Sequence, residues 1–267
     1  MNNYYKFFEA NKSNWNKRTD IHYISDFYNN ENFISSKNSL NKIELNALGN
    51  IEGKDILHLQ CHFGQDTLSL AHLGANVTGV DFSDKAIGKA YELSKLTNID
   101  ARFICSNIYD LKNNLDEQFD IVFTSYGTIG WLPDINKWAE IVSFFLKPSG
   151  QFLIVEFHPY IWMFDDNFDF IKHSYFHEKN PIEEIAENTY TENDSDINMI
   201  QYSWNHTLAD VTNSLISYGL EIKSLKEFNY SPYNCFPNMI KIEERKFVFK
   251  KYGEKLPLIY SLCATKK

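Results

Sequence analysis

Residues 55–83 read DILHLQCHFGQDTLSLAHLGANVTGVDFS, and this stretch decides the fold. Asp55–Leu59 is a short apolar run of the kind that makes a buried strand, and Asn76–Val80 reads as a second strand closed by Asp81. Between them, Asp66–Leu73 has helical spacing and Gly74 supplies a stop. The turn Gln60–Asp66 therefore falls at the carboxyl end of a strand, where open parallel sheets bind their ligands. A nucleotide-binding turn carries several glycines at this point. Here Gln60, Cys61 and His62 stand instead, and only Gly64 is left.

The alternation continues outward. Strands are expected over 101–105, 119–124 and 150–157, with amphipathic helices over 83–96 and 135–146 and a shorter link over 108–114. Ser83-Asp84 is a good helix N-cap. Repeated βα units imply a mostly parallel, Rossmann-like α/β sheet with helices on both faces. Its strands are nearly all apolar because both faces are covered. After Phe157 the rhythm breaks. Residues 159–205 are aromatic, acidic and irregular, too long for an ordinary connection, and are expected to be a lid insertion after the fifth strand. A helix over 207–218, stopped by Gly219, and strands over 220–228 and 258–264 complete the chain with an antiparallel finish. The expected organisation is one domain over 1–267. It comprises a helical N-terminal cap (1–50), a cofactor-binding core (51–158), the lid (159–205) and the C-terminal part of the sheet (206–267).

Composition narrows the function. The 267 residues are 43 % hydrophobic, enough to bury a full core. No run approaches the roughly 20 apolar residues that span a bilayer, and the N-terminus lacks the order of a signal peptide. The four cysteines are scattered, and Cys61, Cys105 and Cys263 lie in or beside apolar runs. They read as reduced thiols, and the expected compartment is cytoplasmic. The net charge of −9 without a Lys/Arg cluster argues against a nucleic-acid partner. The excess is concentrated in 159–205, where ten acidic residues face only Lys172 and Lys179, a net −8. That imbalance favours an uncharged or cationic substrate, aromatic or an amine, over carboxylates and phosphates. His62 and His72 have no companions that would complete a metal site.

An acidic residue at the end of the second strand accepts both hydrogens of a ribose diol, which suits Asp81 to a dinucleotide or an adenosyl-sulfonium ligand. Backbone amides must approach the pyrophosphate of a dinucleotide closely, and Gln60 and His62 obstruct that approach. A ligand without phosphate demands less of the turn, provided Gly64 supplies the tight bend. The turn argues against NAD and permits S-adenosylmethionine (SAM).

The series ILHLQCHFG, VTGVDFS, FDIVFTSYGTIGWL and LKPSGQFLIVEFHP, in this order, resembles the motifs of class I SAM-dependent methyltransferases, more narrowly the small-molecule type of bacteria. The resemblance spans about residues 50–265. It implies a seven-stranded sheet whose last strand is antiparallel, and in-line transfer of a methyl group from SAM to a small-molecule acceptor. By position it implies that Gln60, Cys61, His62 and Gly64 wrap the methionine part, Asp81 holds the ribose, and Phe82 lies against the adenine. It further implies that Asn107 accepts from the adenine amino group, Ile108 covers the ring, and Ser125 and Tyr126 face the methyl group. The N-terminal HYISDFY resembles the helical cap of some of these enzymes and offers Tyr23 or Tyr28 to close over the cofactor. The chain departs from the family at His58, where an acidic residue is usual, and at Gln60 and His62, which replace glycines.

Methyl transfer needs alignment and desolvation more than any obligatory side chain. His158, just past the fifth strand, and Tyr126 are the candidates for a catalytic role. Tyr126, Trp131, His158 and Tyr160 are the candidates for contact with substrate. Glu156, deeper on the same strand, reads as structural, and His206, which opens the following helix, is a second candidate base whose plainer reading is a helix cap. The alternatives are a scaffold or sensor that binds SAM or S-adenosylhomocysteine (SAH) without transfer and, less favoured, an NAD-dependent oxidoreductase.

Overall fold

The β-branched and leucine-rich runs of the core become parallel strands because each is covered on two faces. The structure is a computed structural model and describes residues 4–186, 189–191 and 198–267. Three helices precede the sheet: α1 (Tyr5–Tyr23), α2 (Asn30–Ser36) and α3 (Lys42–Leu48). Then come β1 (Asp55–Leu59), α4 (Gln65–His72), β2 (Asn76–Asp81), α5 (Asp84–Thr97), β3 (Arg102–Cys105) and a 3-10 turn over Ile108–Asn113. β4 (Phe119–Ser125), α6 (Ile135–Phe145) and β5 (Leu146–Phe157) follow. The chain then forms β6 (Ile182–Ala186), β7 (Met199–Ser203), α7 (Leu208–Ser217) and β8 (Leu220–Phe228). It ends with β9 (Met239–Glu243), β10 (Lys246–Phe249) and β11 (Ile259–Lys266).

The main sheet has seven strands in the order β3-β2-β1-β4-β5-β11-β8. All its core pairings are parallel except those of β11, which runs antiparallel to both β5 and β8. Strand order reverses at β1, between β2 and β4, so the β1–α4 turn lies at the switch point that the sequence assigned to it. Successive side chains of β1 serve opposite faces. Leu57 and Leu59 join the layer built with α6 and α7, whereas Ile56 joins the layer beneath α3 and α4. Full burial of such a side chain is worth roughly 1.5–3 kcal/mol, so a one-residue slip of β1 would be costly.

Local signals act as expected. Ser83 caps α5 by accepting from the Ala86 amide at 3.0 Å. Gly219 follows α7 at φ +83°. Cys61 is buried, but Cys105 is exposed because it stands at the rim of the edge strand β3. The segment 159–205 contributes the antiparallel hairpin β6–β7, whose second strand packs on α1. A second hairpin, β9–β10, lies between β8 and β11. Ile161 and Phe168 of the first excursion share an apolar cluster with Phe249 and Leu258 of the second. Glu187, Glu192, Asp194 and Asp196 of the acidic set lie outside the described residues. No helix among the described residues is long and apolar enough to cross a membrane.

Candidate active site

The β1–α4 turn keeps the backbone of a glycine-rich loop without the glycines. Gln60 and His62 sit at φ +56° and +51°, and Gly64 at +80°. Left-handed backbone costs a residue with a Cβ about 1–2 kcal/mol, so the turn is held there by its surroundings. The Gln60 Nε2 donates to the Thr128 carbonyl at 2.8 Å, and the His62 amide donates to Asp81 Oδ2 at 2.9 Å. Gly64 alone could not be replaced cheaply, because a Cβ there would stand 2.7 Å from the Phe103 ring.

Around this turn the carboxyl ends of β1, β2, β4 and β5 open into a cleft of about 1160 Å³, closed on the other side by α1 and the 159–205 segment. The cleft is lined by Gln60, Cys61, His62, Gly64, Asp81, Phe82, Asn107, Ile108, Ser125 and Tyr28, together with Tyr126 and Trp131. Two predicted residues do not line it. His158 is buried beside β8, with Nε2 2.9 Å from Glu227 Oε1 and Nδ1 accepting from the Tyr160 amide at 3.1 Å. Both ring nitrogens are thus engaged away from the cleft, which removes His158 as a base. Tyr160 packs on Phe164 instead.

Asp81 forms the floor beneath the turn. Its Oδ1 accepts from the Ser83 amide and its Oδ2 from that of His62, both at 2.9 Å. Burial outweighs these bonds and pushes its pKa up to about 6. Asn107 caps the 3-10 turn by accepting from the Tyr109 amide at 3.0 Å. Ser125 donates to Asp66 Oδ2 at 3.1 Å, and Ser39 donates to Asp66 Oδ1 at 2.5 Å. His58 lies beside them, 2.8 Å from Thr67 Oγ1, and burial lowers its pKa to about 4, leaving it neutral. Asp66, in the first turn of α4, meets the same Ser125 hydroxyl that lies 3.5 Å from His58 Nε2. The sequence reading missed it, although its position eight residues after His58 was visible.

The turn after β4 is fixed from below. Glu156 accepts from the amides of Gly127, Thr128 (2.7 Å), Ile129 (3.3 Å) and Phe157 (2.6 Å) and from the Thr128 hydroxyl (2.9 Å). This set of donors accounts for a carboxylate almost wholly removed from water. Trp131 Nε1 then donates to the Gly127 carbonyl at 2.8 Å, placing its ring edge-on to Trp15 at 5.5 Å. His206 does not cap α7; Thr207 and Asp210 do, through a reciprocal pair of bonds. His206 Nε2 instead donates to the Leu132 carbonyl at 2.7 Å.

The far wall comes from the N-terminal helix. Tyr28 and Tyr190 share a hydroxyl contact at 2.6 Å, and His22 Nδ1 lies 3.1 Å from His62 Nε2. Burial lowers both imidazoles, His22 to about 2 and His62 to about 3, so both are neutral. Gln60 Oε1 and His62 Nδ1 are buried without a protein partner. Among the described residues no cluster of His, Cys, Asp and Glu could hold a metal ion.

With this geometry in place, the comparisons with known proteins agree. Residues 56–150 match the family described as a methyltransferase domain. An uncharacterized methyltransferase of Synechocystis sp. is 32 % identical over 133 residues, covering 49 % of this chain and 60 % of its own. A ubiquinone biosynthesis O-methyltransferase of Pseudomonas syringae pv. tomato is 26 % identical over 145 residues, covering 52 % of this chain and 61 % of its own. The chain thus spans about 60 % of the length of these curated relatives. Among solved structures, a SAM-dependent methyltransferase from Mesorhizobium loti superposes with a TM-score of 0.55 at 18 % identity, over 83 % of this chain and 94 % of that one. Residues 56–150 are thus similar to a methyltransferase domain, and the sheet has the fold of the SAM-dependent methyltransferases of known structure.

Proposed function

We propose that the protein transfers a methyl group from SAM to a small-molecule acceptor. The observation that carries this reading is Asp81, held by two amides at the end of β2 on the floor of the cleft. Its free lone pairs suit a ribose diol, and Asn107 Oδ1 and Ile108 stand where an adenine would lie. At the other end Asp66, already gathered by Ser39 and Ser125, suits the cofactor's ammonium in place of the missing strand acid. The cleft volume accommodates a cofactor and a further small molecule, and the ubiquinone O-methyltransferase relative supports a small-molecule acceptor.

When bound, SAM would supply an electrophilic methyl group, which the acceptor's lone pair would take with SAH as the leaving group. The chain's own part is positional. Glu156 locks the turn after β4, so that Ser125, Tyr126 and Gly127 present a fixed edge to the reacting centre. Trp15, Trp131 and Tyr28 exclude water around it, which strengthens every charge interaction inside. The 159–205 segment acts as a lid over the acceptor, and the free thiols support a reducing, cytoplasmic setting.

Calorimetry with SAM, SAH and NADH, followed by a screen of metabolite extracts with methyl-labelled SAM, tests the reading. Binding of both adenosyl ligands and label in a small product are expected. Tight NADH binding with no response to either adenosyl ligand would end it, and binding without transfer to any acceptor would leave a scaffold.

A further inference from the structure

Behind the turn after β4 lies a carboxylate that does not reach the cleft surface. Glu44, in the first turn of α3, is fully buried. It closes a capping box, its Oε2 accepting from the Asn41 amide at 3.1 Å. Glutamate is almost never buried to this degree unless it is paired. Burial, with Asp66 as a second carboxylate nearby, pushes the Glu44 pKa up to about 7. Asn41 links it to two phenols. The Asn41 Nδ2 lies 3.4 Å from Glu44 Oε1, 3.0 Å from the Tyr233 hydroxyl and 3.5 Å from that of Tyr126. Arg245 occupies the other side of the same amide, donating from Nη1 to Asn41 Oδ1 at 2.9 Å and to the Ser39 and Leu40 carbonyls. Nδ2 must therefore face the phenols, and the Tyr126 hydroxyl donates in turn to Glu44.

Tyr126 joins this cluster to the cleft. It and Tyr233 both line the cleft, their rings edge-on at 5.0 Å, whereas Glu44 lies behind them. Tyr126 follows Ser125 at the end of β4, where its amide donates to the Val155 carbonyl at 2.7 Å. Its backbone is left-handed at φ +41°, an uncommon state for so large a side chain. Strain of this kind gathers at functional sites. Burial raises the Tyr126 phenol well above its usual range, so a phenolate would not persist there. Glu44, by contrast, holds a proton with the affinity that suits a base at neutral pH. The other groups that face it are the phenols of Tyr230 and Tyr233, after β8, and Arg245, between β9 and β10.

We propose that Tyr126 and Glu44 form a proton relay, in which Tyr126 takes the proton of a hydroxyl acceptor and passes its own to Glu44. The inference rests on the methyltransferase reading and narrows the acceptor class. An amine attacks before it loses a proton and a thiol ionises readily, whereas a hydroxyl must shed its proton as it attacks. In that step the acceptor's O–H bond breaks and its proton goes to the Tyr126 oxygen. The Tyr126 O–H bond breaks in turn, and that proton goes to the Glu44 carboxylate. The acceptor's electron pair forms the bond to the methyl carbon, and SAH leaves with the pair of the bond that breaks. One positive and one negative charge disappear together, which a buried site favours. After the product leaves, Glu44 returns its proton to the cleft by the same route. Tyr126 is the catalytic residue, because it touches the acceptor, and Glu44 acts through it.

The first test needs no ligand. Carboxyl NMR of the free protein, labelled at glutamate Cδ and compared with Glu44→Gln, follows the Glu44 titration directly. Its midpoint should lie at about 7. Tyr126→Phe should raise that midpoint by about half a pH unit or more, because the ionised form loses a hydrogen bond. A midpoint in the ordinary glutamate range, or one that Tyr126→Phe leaves in place, overturns the relay. The second test uses the acceptor found by the labelling screen. At saturating SAM, kcat should rise by about tenfold between pH 6 and pH 8 as Glu44 ionises. Glu44→Gln keeps an oxygen for the Asn41 amide, so SAH affinity should stay close to wild type while the rise with pH is lost. Tyr126→Phe should lower kcat by about a hundredfold or more with little change in KM. A Glu44→Gln protein that keeps the wild-type pH profile overturns the relay and leaves the methyltransferase reading intact. Methylation of the acceptor on any atom other than a hydroxyl oxygen does the same. Absence of both SAH binding and transfer ends that reading, and the relay with it.

Discussion

The two walls of the cleft are made differently. The floor, from Gln60 to Asp81 and on to Ser125, comes from consecutive βα units and is held chiefly by backbone amides. The opposite wall joins α1 and the turn after it to segments more than 160 residues away. Asn11 bonds the Tyr202 carbonyl and amide, Arg18 bonds Gln201, and Tyr28 bonds Tyr190. Backbone amides offer a fixed geometry whatever the side chain, so the floor tolerates Gln60 and His62 in place of glycine. Side-chain pairs across the chain carry no such constraint, so the wall is free to differ in shape and charge where the floor is not.

The largest separation of the two walls should come from deleting the β6–β7 hairpin, residues 182–203. Methyl transfer should be abolished while SAH affinity, read by calorimetry, changes by only a few-fold; equal loss of both would make the hairpin part of the core fold. Next, Asp81→Ala removes charge-assisted bonds worth roughly 1.5–3 kcal/mol each, so SAH affinity should fall by about two orders of magnitude with the circular dichroism spectrum unchanged. An Asp81→Ala protein that binds normally would move the ligand elsewhere. Asp66→Asn should cost roughly tenfold in SAH and leave 5′-methylthioadenosine unaffected, because only the first carries an ammonium.

The pH dependence has a definite sign. Asp81 is raised from 3.8 to about 6 in the folded protein, so its contribution to folding is fully present below pH 4 and is lost as pH rises through 6. A ribose diol donates to the ionised form and draws it back. SAH affinity should therefore fall by about tenfold between pH 7 and pH 5, and Asp81→Asn should abolish that dependence. A wild-type profile flat across this range would remove the carboxylate from the site. The smallest effect concerns the turn itself. Gln60→Gly relieves a left-handed residue at the cost of chain entropy, for a net gain of about 0.5–1 kcal/mol in urea unfolding. A loss would mean that the Gln60–Thr128 bond outweighs the strain.

The floor was legible in sequence because its signals are local. Asp55–Leu59 and Leu220–Phe228 were read with the bounds the structure shows, and Ser83 was recognised as the cap of α5. The seven-stranded sheet with its last strand antiparallel followed from the βα rhythm and the family resemblance together, whereas the strand order came from the structure. The wall was not legible, since nothing near Arg18 announces Gln201. The β9–β10 hairpin was missed because Met239–Glu243 is half charged and exposed, which hides the period-two pattern. His158 was misjudged for a related reason. A strand end points to the cleft only if no neighbouring strand offers a better partner, and Glu227 does.

The pairing of α1 with β7 also has a consequence for biosynthesis. The helix leaves the ribosome before the strands of the sheet, but Asn11 and Arg18 find their partners only at residues 201–202. At typical synthesis rates that interval is about 10–40 s. A lone helix of 19 residues is marginal in water, so α1 must wait with its aromatic face uncovered while the central strands emerge and pair. The nascent chain is therefore exposed to chaperones, or to misassociation, along α1 during that interval. Closure of the cleft would be among the last events of folding.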